Sequence, residues 1–338
     1  MSASRRAAAR HLAGAVRRLL LLLTLLPLAT GIAIGVASAE PPPAVAYLNA
    51  ADARRSGVSV ALLSHDLPGA RVLTVAPPAA STGTRLLAAA PDGSSVALAD
   101  SPFSTDGELT IAAADGAQLR VRLPGVSGAA FAPGGDRLAV IDGAGSVWLV
   151  DPRSGESRRV ADGPFVGSPS FETDGSLLLL AASSFEAPYR SQPVLVAVAD
   201  GTVTPISDDE LVYAVFPLAD GARALVVHER GGTVVKRLSG TDSSIVAELG
   251  PDATGVTVST DGMRVAFQRG ERGVFLIDRP GAPPHRVGDG SDPTLSPDGN
   301  LLLVRRGGST TLFSADGAVV AEYDGTAAFI GCAGGCLP

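Results

Sequence analysis

Few residues of the 338-residue chain stand in patterns that are typical of catalysis. His228-Glu229 begins like the metal-binding motif of zinc proteases, but Arg-Gly-Gly follows and the second histidine of the motif is missing. No Gly-x-Ser-x-Gly sequence marks a serine nucleophile, and the only lysine, Lys236, lies in no phosphate-binding loop. The sequence therefore indicates that this protein is not an enzyme.

Candidate metal ligands are also scattered. His65, His228 and His285 are separated by long stretches of chain, and a metal site would require the fold to bring them to one point. Asp289 and Asp292 could bind calcium in a loop, but aspartates are common in tight turns for backbone reasons alone. We therefore expect no metal and no other cofactor.

The two cysteines, Cys332 and Cys336, enclose Ala-Gly-Gly close to the C-terminus. Two cysteines are too few for a disulfide-rich scaffold. In an oxidising compartment we expect them to form one small disulfide loop, which the glycines are flexible enough to close. A redox or metal role is the alternative, although thiol exchange is more typical of a Cys-x-x-Cys spacing.

The N-terminal segment, residues 1–39, has the features of an export signal. Arginines precede the first acidic residue, an apolar stretch covers residues 19–36, and a small-x-small cleavage sequence ends at Ala39. The alternative is an uncleaved membrane anchor, since residues 19–39 are about long enough to span a bilayer as a helix. Both interpretations place the rest of the chain, which follows a proline-rich linker at residues 40–43, outside the cytoplasm.

The composition suits a folded β protein. Hydrophobic residues make up 46% of the chain and charged residues 18%, which excludes a disordered protein. The formal net charge of −7 argues against a nucleic-acid-binding protein, which would be basic. The 40 glycines and 25 prolines punctuate the sequence at short intervals, and helical periodicity is nearly absent after the N-terminal segment. We expect residues 44–338 to form a single all-β domain.

A tight turn recurs along this domain at intervals of about 40 residues. Each copy ends in Asp-Gly or Gly-Gly between two short apolar stretches, which is typical of a β-hairpin because glycine accepts the positive φ of the turn. Two more apolar stretches follow within each interval. The copies are Pro91-Asp92-Gly93, Pro133-Gly134-Gly135, Thr173-Asp174-Gly175, Ala219-Asp220-Gly221, Thr260-Asp261-Gly262 and Pro297-Asp298-Gly299.

Four short strands in about 42 residues is the spacing of a β-propeller blade. We name the strands of a blade A to D from the central axis outward, so that the recurrent turn joins A to B. The sequence predicts a seven-bladed β-propeller, with six blades as the alternative. The last blade takes strands B, C and D from Ala44–Leu48, Val58–Ser64 and Ala70–Ala76, and strand A from Thr326–Ile330. Pairing of the two chain ends would leave no free edge between blades.

The recurrent turn resembles the repeat of TolB-like β-propellers, which are similar in pattern to WD-repeat propellers. Residues 295–301, Leu-Ser-Pro-Asp-Gly-Asn-Leu, match this repeat best, and the segments around Pro91 and Pro133 are also similar. The resemblance covers about residues 44–331 and implies the propeller fold. It implies no single function, because the family includes scaffolds, sensors and domains attached to enzymes. The tryptophan that the family often places two positions before the proline is absent, and the only tryptophan, Trp148, lies on another predicted strand.

The B–C and D–A connections of a propeller share one face, which we call the loop face and where binding commonly occurs. Arginines gather in its predicted B–C connections, and arginine is suited to carboxylates and phosphates. The alternative is that they only pair with acids in the neighbouring D–A connections. The candidate binding residues are Arg54, Arg55, Phe185, Tyr189, Arg190, Arg230, Arg269, Arg272, Arg305 and Arg306. The neighbouring acids are Asp162, Asp208, Asp209, Glu210, Asp252, Asp289, Asp292 and Asp324.

The sequence as a whole favours an exported, non-catalytic β-propeller that binds another protein or a cell-envelope component through the loop face. We expect a monomer that is periplasmic, cell-surface or secreted, and that touches a membrane only if the N-terminal segment is retained. The alternatives are a propeller hydrolase or lyase with its site in the central channel, and a membrane-tethered sensor. Predicted A strands at residues 86–88, 129–131 and 256–258 contain neither acids nor histidines, which argues against the enzyme.

Overall fold

The computed structural model describes residues 45–49, 58–63, 71–75, 85–99, 108–113, 117–182, 191–209, 211–271, 273–307, 309–324 and 327–329. These residues form β-strands joined by turns, and no α-helix occurs among them. The described part of the chain accordingly holds no helix long and apolar enough to cross a membrane. The predicted signal segment at 1–39, the linker at 40–43 and both cysteines lie outside the described residues.

The strands follow one another along the chain with short connections. The first group is β1 (Val45–Asn49), β2 (Val58–Leu63), β3 (Arg71–Val75), β4 (Arg85–Ala89), β5 (Ser95–Ala99), β6 (Glu108–Ala113), β7 (Gln118–Arg122), β8 (Gly128–Phe131), β9 (Leu138–Ile141) and β10 (Val147–Val150). The second group is β11 (Ser157–Ala161), β12 (Phe165–Phe171), β13 (Leu177–Ala182), β14 (Ser191–Val196), β15 (Val203–Pro205), β16 (Val212–Pro217), β17 (Arg223–Glu229), β18 (Gly232–Ser239) and β19 (Asp242–Gly250). The third group is β20 (Ala253–Val258), β21 (Val265–Arg269), β22 (Gly273–Ile277), β23 (His285–Asp289), β24 (Ser291–Leu295), β25 (Leu301–Arg306), β26 (Ser309–Ser314), β27 (Val319–Asp324) and β28 (Ala327–Phe329).

The strands pair in an antiparallel manner into four-stranded sheets. Six sheets, from β4–β7 to β24–β27, each use four consecutive strands, which are their strands A to D in chain order. Another sheet has the order β28-β1-β2-β3, in which Val45 and Tyr47 of β1 lie opposite Phe329 and Ala327 of β28. The pairing of the two chain ends that the sequence predicts is therefore present.

The A strands lie innermost. The A strands of neighbouring sheets contact each other, as in the pairs β4 and β8, β8 and β12, and β20 and β24. Sheets that meet along their first strands in this way form a β-propeller. The all-β propeller fold predicted from the recurrent turn is thereby confirmed, with five consecutive sheets, β8 to β27, between residues 128 and 324.

The hydrophobic core lies between neighbouring sheets. Ile141 of β9 packs in one cluster with Phe171 and Leu177 of the next sheet, and all three are fully buried. Leu276 of β22 likewise packs with Leu302 of β25. Large aliphatic and aromatic side chains suit pleated surfaces that are covered on both faces. The apolar residues of each strand are therefore buried against the neighbouring sheets, which fixes how adjacent sheets pack.

The A–B turns have the geometry that the sequence predicts. Gly175 adopts a φ of 85°, a conformation that glycine accepts without steric cost. The Oδ1 of Asp174 accepts a hydrogen bond of 2.8 Å from the backbone N–H of Ser176. This hydrogen bond is the largest influence on the pKa of Asp174 and helps to hold it below its ordinary value.

One A–B turn is tied to the next sheet by a buried ion pair. Glu172, directly after β12, accepts a hydrogen bond of 2.5 Å from the Nε of Arg223 on β17. The side chain of Glu172 is 9% exposed and that of Arg223 is 20% exposed. The pair therefore links two sheets at a place where little water is available to replace either partner.

A close backbone contact joins two sheets near their outer strands. Gly201 lies in the turn between β14 and β15 and adopts a φ of 76°. A Cβ at this position would lie 2.1 Å from the carbonyl oxygen of Val160, on the outer strand β11 of the preceding sheet. Only glycine permits this approach, because it has no Cβ.

Candidate functional site

A cavity of about 490 Å³ lies among the A strands of four consecutive sheets. Residues of β12, β16, β20 and β24 line it, together with His228 at the end of β17 and Thr233 at the start of β18. These positions lie near the starts of the A strands and beside a B–C turn. The cavity therefore occupies the end of the central channel that belongs to the loop face.

Irregularities in the A strands shape this cavity. The pairing register shifts in each of the four lining strands, for example between Thr254 and Thr257 of β20. Gly255 at this irregularity has a φ of 55°, and Asp292 of β24 has a φ of 51°. Asp292 is the only residue other than glycine with a positive φ in the described part of the chain. Such bulges bend a strand and leave backbone groups outside the regular ladder, here beside the cavity.

Tyr213 is the most exposed aromatic side chain in the cavity wall. Its side chain lies on β16 and the residue is 59% exposed. The ring meets that of His228 edge to face, with centroids 6.0 Å apart and planes at 90°. This is a favoured arrangement for two aromatic rings, so His228 supports the tyrosine ring, and the residue stays largely exposed.

The connection that leads into β16 is firmly attached. The hydroxyl of Ser191 donates to the carbonyl oxygen of Val212, and the amide of Gln192 donates to the carbonyl oxygen of Ser207 over 2.9 Å. Both donors lie on β14 of the preceding sheet. The D–A connection before Tyr213 is therefore fixed to its neighbour rather than free to swing over the cavity.

Lys236 attaches the same connection from the other side. Its Nζ lies 2.8 Å from Oδ1 of Asp209 and 2.8 Å from Oε1 of Glu229, and its side chain is 16% exposed. Burial alone would raise the pKa of Asp209, but hydrogen bonds from Lys236 and Ser207 outweigh it and hold this pKa below its ordinary value. Burial would lower the pKa of Lys236, but hydrogen bonds to the two carboxylates raise it.

Replacing Lys236 by methionine is expected to lower the free energy of unfolding by about 2 kcal/mol at pH 7, because two charge-assisted hydrogen bonds are lost. The folded pKa of Asp209 lies below the unfolded one, so this stabilisation is present above about pH 4 and is lost as the pH falls through the folded pKa. Urea unfolding of both proteins between pH 7 and pH 3 measures the difference. A difference that stays constant into the acidic range would contradict the assignment, and Asp209→Asn serves as a second test of the same pair.

The remaining polar groups of the cavity are mostly hydroxyls. Ser168 and Thr254 are exposed in the wall. Ser170 is 2% exposed, and its buried hydroxyl has no hydrogen-bond partner within the described part of the protein. Asp292 supplies a carboxylate, whose Oδ2 lies 3.6 Å from an Arg305 nitrogen.

The predicted arginines of the loop face have different surroundings. Arg269 stacks over Phe267 and Phe275, with its guanidinium carbon 5.3 and 5.2 Å from the ring centroids, and donates to the carbonyl oxygen of Leu249 over 2.6 Å. Arg306 lies over the ring of Phe313 in the same manner, at 5.2 Å. The aromatic and backbone contacts give both side chains a packing role between strands.

Two other predicted arginines of the loop face, Arg230 and Arg305, are also exposed. Arg305 has a 52% exposed side chain beside Asp292, and Arg230 is exposed in the turn between β17 and β18. The pairing of Arg305 with Asp292 is of the kind expected between B–C and D–A connections. The other candidate binding residues, Arg54, Arg55, Phe185, Tyr189, Arg190 and Arg272, lie outside the described residues.

The cavity itself was not predicted from the sequence. Residues 86–88, 129–131 and 256–258 suggested that the A strands carry little polar chemistry, whereas Tyr213 and Asp292 of A strands line the cavity, together with His228 of the B strand β17. One sequence signal could have revealed the cavity, because glycine and proline within a strand mark bulges. This signal is present in two of the lining strands, as Gly167-Ser168-Pro169 and as Asp292-Pro293. The described residues contain no cluster of three or more His, Cys, Asp or Glu side chains that could hold a metal ion.

The four-stranded sheets and the contacts between their A strands define the class of this protein, a β-propeller, the fold that solved TolB structures also have. No protein-family model matches the chain, and no curated protein is similar to it in sequence. Solved structures share its architecture, and they show the fold alone because the sequence identities are low.

Three such structures illustrate the range. TolB from Acinetobacter baumannii has a TM-score of 0.51 and 17% identity over 82% of this chain, which spans 62% of the length of that TolB. Oligogalacturonate lyase from Vibrio parahaemolyticus has a TM-score of 0.53 and 12% identity, covering 71% of this chain and 76% of the lyase. A β-propeller domain from Myceliophteria thermophila has a TM-score of 0.50 and 13% identity, covering 74% of this chain and 88% of that domain.

Proposed function

We propose that this chain is an exported, non-catalytic β-propeller that binds a protein or a cell-envelope component through its loop face. The observation that carries the proposal is the cavity, which lies at the loop-face end of the channel with an exposed tyrosine in its wall. The exposed side chains of Arg230, in the β17–β18 turn, and Arg305, near the end of β25, lie on the same face. A concave, mixed-polarity site with charged side chains around it is typical of ligand recognition.

The propeller is inferred to be a closed ring of seven blades, one for each four-stranded sheet. Contacts of β28 with β4, and of β1 with β27, support this closure. Export is inferred from the basic, apolar and small-x-small succession at residues 1–39. The Cys332–Cys336 disulfide stays a prediction of the sequence.

Site-specific photo-crosslinking tests the proposal. Amine-reactive crosslinkers are unsuitable because the only lysine, Lys236, is ion-paired and has a 16% exposed side chain. We would place a photoreactive amino acid at position 230 in the tagged full-length protein, irradiate it with envelope material, and identify the products by mass spectrometry. The expected result is one predominant partner, recovered about ten-fold less when Arg305→Ala is added, since arginine contacts often dominate interfaces.

Arg120→Ala is the matched control for this experiment. Arg120 forms an ion pair with Glu108 at 3.6 Å and has a 44% exposed side chain, closely similar to Arg305 with Asp292 at 3.6 Å. It lies on the outer strand β7, away from the loop face. Equal losses for the two variants, or no partner above background, would argue against binding at the loop face.

A propeller enzyme with a site in the channel is the second candidate. The observation that favours it is the presence of two titratable rings, Tyr213 and His228, in the cavity wall. An enzyme alters the covalent structure of the compound that it binds, whereas a scaffold releases it unchanged. Mass spectrometry of any compound found to bind in the cavity therefore separates the two functions.

A further inference from the structure

The cavity wall carries little net charge. Asp292 is the only acidic residue, and no lysine or arginine occurs, among the described residues that line it. The carboxylate of Asp292 is partly neutralised by Arg305 at 3.6 Å. A ligand with a formal charge would lose its hydration on entry and would find no opposite charge free to replace it. The chemistry of the wall therefore favours an uncharged ligand.

The exposed ring of Tyr213 adds an apolar surface to this wall. His228 supports the ring through an edge-to-face contact, with planes at 90° and centroids 6.0 Å apart, and Tyr213 stays 59% exposed. Alanine, valine and phenylalanine residues of β16 and β20 complete the apolar part of the wall. A flat ligand with an apolar face can stack on an aromatic ring supported in this way.

The polar groups are distributed around the cavity rather than along one line. The hydroxyls of Ser168, Ser170, Thr254 and Thr294 come from three different A strands. Hydroxyls both donate and accept hydrogen bonds, and Ser170 has no partner among the described residues. An extended peptide would instead need donors and acceptors at regular spacing along a single strand. The arrangement suits a compact ligand that carries hydroxyls around its rim.

We propose that the cavity binds a short, uncharged oligosaccharide, with one sugar ring stacked on Tyr213 and its hydroxyls bonded to the serine and threonine side chains of β12, β20 and β24. This inference rests on the proposed function and names the envelope component that the site would take. A pyranose ring combines an apolar C–H face with a rim of hydroxyls, which are the two features that this wall complements. The cavity volume of about 490 Å³ lies within the usual range for small-ligand sites.

Calorimetric titration of the full-length protein tests this proposal. The probes are two neutral trisaccharides, of N-acetylglucosamine and of glucose. Trigalacturonate, which is acidic, serves as the charged comparison. We expect at least one neutral trisaccharide to bind, and Tyr213→Ala to weaken its binding by about ten-fold through loss of stacking. Tyr213→Phe keeps the ring and is expected to bind within about three-fold of the wild type.

Ile245→Ala is the matched control, because Ile245 is 54% exposed on the outer strand β19 and is not among the residues that line the cavity. Its binding should equal that of the wild type. Binding of trigalacturonate alone, equal binding by Tyr213→Ala and the wild type, or no binding of any saccharide would overturn the proposal. Capture of a protein partner at position 230 without saccharide binding would overturn this inference and leave the proposed function standing. Binding of a neutral trisaccharide that Tyr213→Ala weakens, without any captured protein, would support this inference and would show that the loop face binds a saccharide rather than a protein.

Discussion

Glu172→Ala is expected to lower the free energy of unfolding by about 3 kcal/mol, because it leaves Arg223 without its partner at a largely buried site. Urea denaturation at neutral pH measures this loss of stability, from the midpoint and the steepness of the unfolding transition. Glu172 joins the turn after β12 to β17 of the next sheet, so its removal weakens an inter-sheet contact as well as a single ion pair. We therefore also expect the unfolding transition to broaden if the sheets separate independently.

Glu108→Ala provides the comparison for this result. Glu108 pairs with Arg120 at 3.6 Å within one sheet, and the two side chains are 26% and 44% exposed. Exposed pairs of this kind contribute under about 1 kcal/mol. Replacing Glu172 and Arg223 together by leucine should recover much of the lost stability, because no unpaired charge remains buried. Equal effects of Glu172→Ala and Glu108→Ala would refute the role assigned to the buried pair.

Gly201→Ala is expected to destabilise the protein by about 3 kcal/mol. Part of this effect is the cost of placing a Cβ at a φ of 76°, which is about 1 kcal/mol. The larger part is steric, because the new methyl group would lie 2.1 Å from the Val160 carbonyl oxygen and would force β11 and the β14–β15 turn apart. The total loss of stability is measured as the shift in the midpoint of thermal unfolding between Gly201→Ala and the wild type at equal protein concentration.

Gly221→Ala separates the two contributions. Gly221 has a φ of 80°, almost equal to that of Gly201, yet no atom lies within 4 Å of the position that a Cβ would occupy. The expected cost is therefore the conformational part alone, about 1 kcal/mol. Should both variants lose the same stability, the contact between the two sheets at Gly201 contributes nothing measurable.

The propeller was predictable because its turns repeat. Asp-Gly between two apolar stretches specifies a hairpin locally, and Asp174 and Gly175 adopt the expected hydrogen bond and positive φ. The pairing of β1 with β28 followed from counting strands, since one strand was missing at the N-terminal end and one was left over at the other. Both predictions depend on local patterns that each blade repeats.

The cavity was harder to predict because it depends on side chains from four different sheets. Tyr213 and His228 belong to neighbouring strands of one sheet, but their contact depends on the register shift between Val212 and Ala214. Arg269 could not be distinguished by sequence from Arg305, since both lie in the last two residues of a B strand. Only the packing of Phe267 and Phe275 decides that the first stacks on aromatic rings while the second faces solvent.

Lys236 gives this protein a chemical reporter. It carries the only lysine amine of the chain, and an amine attacks an acylating reagent only when it is deprotonated and accessible. The contacts with Asp209 and Glu229 keep the pKa of Lys236 raised and its nitrogen occupied. Acylation at this position is therefore expected to be slow until the contacts with Asp209 and Glu229 break. When the reagent is concentrated enough to acylate the freed amine before it pairs again, the reaction rate measures how often the contacts of Lys236 with Asp209 and Glu229 break in the folded molecule.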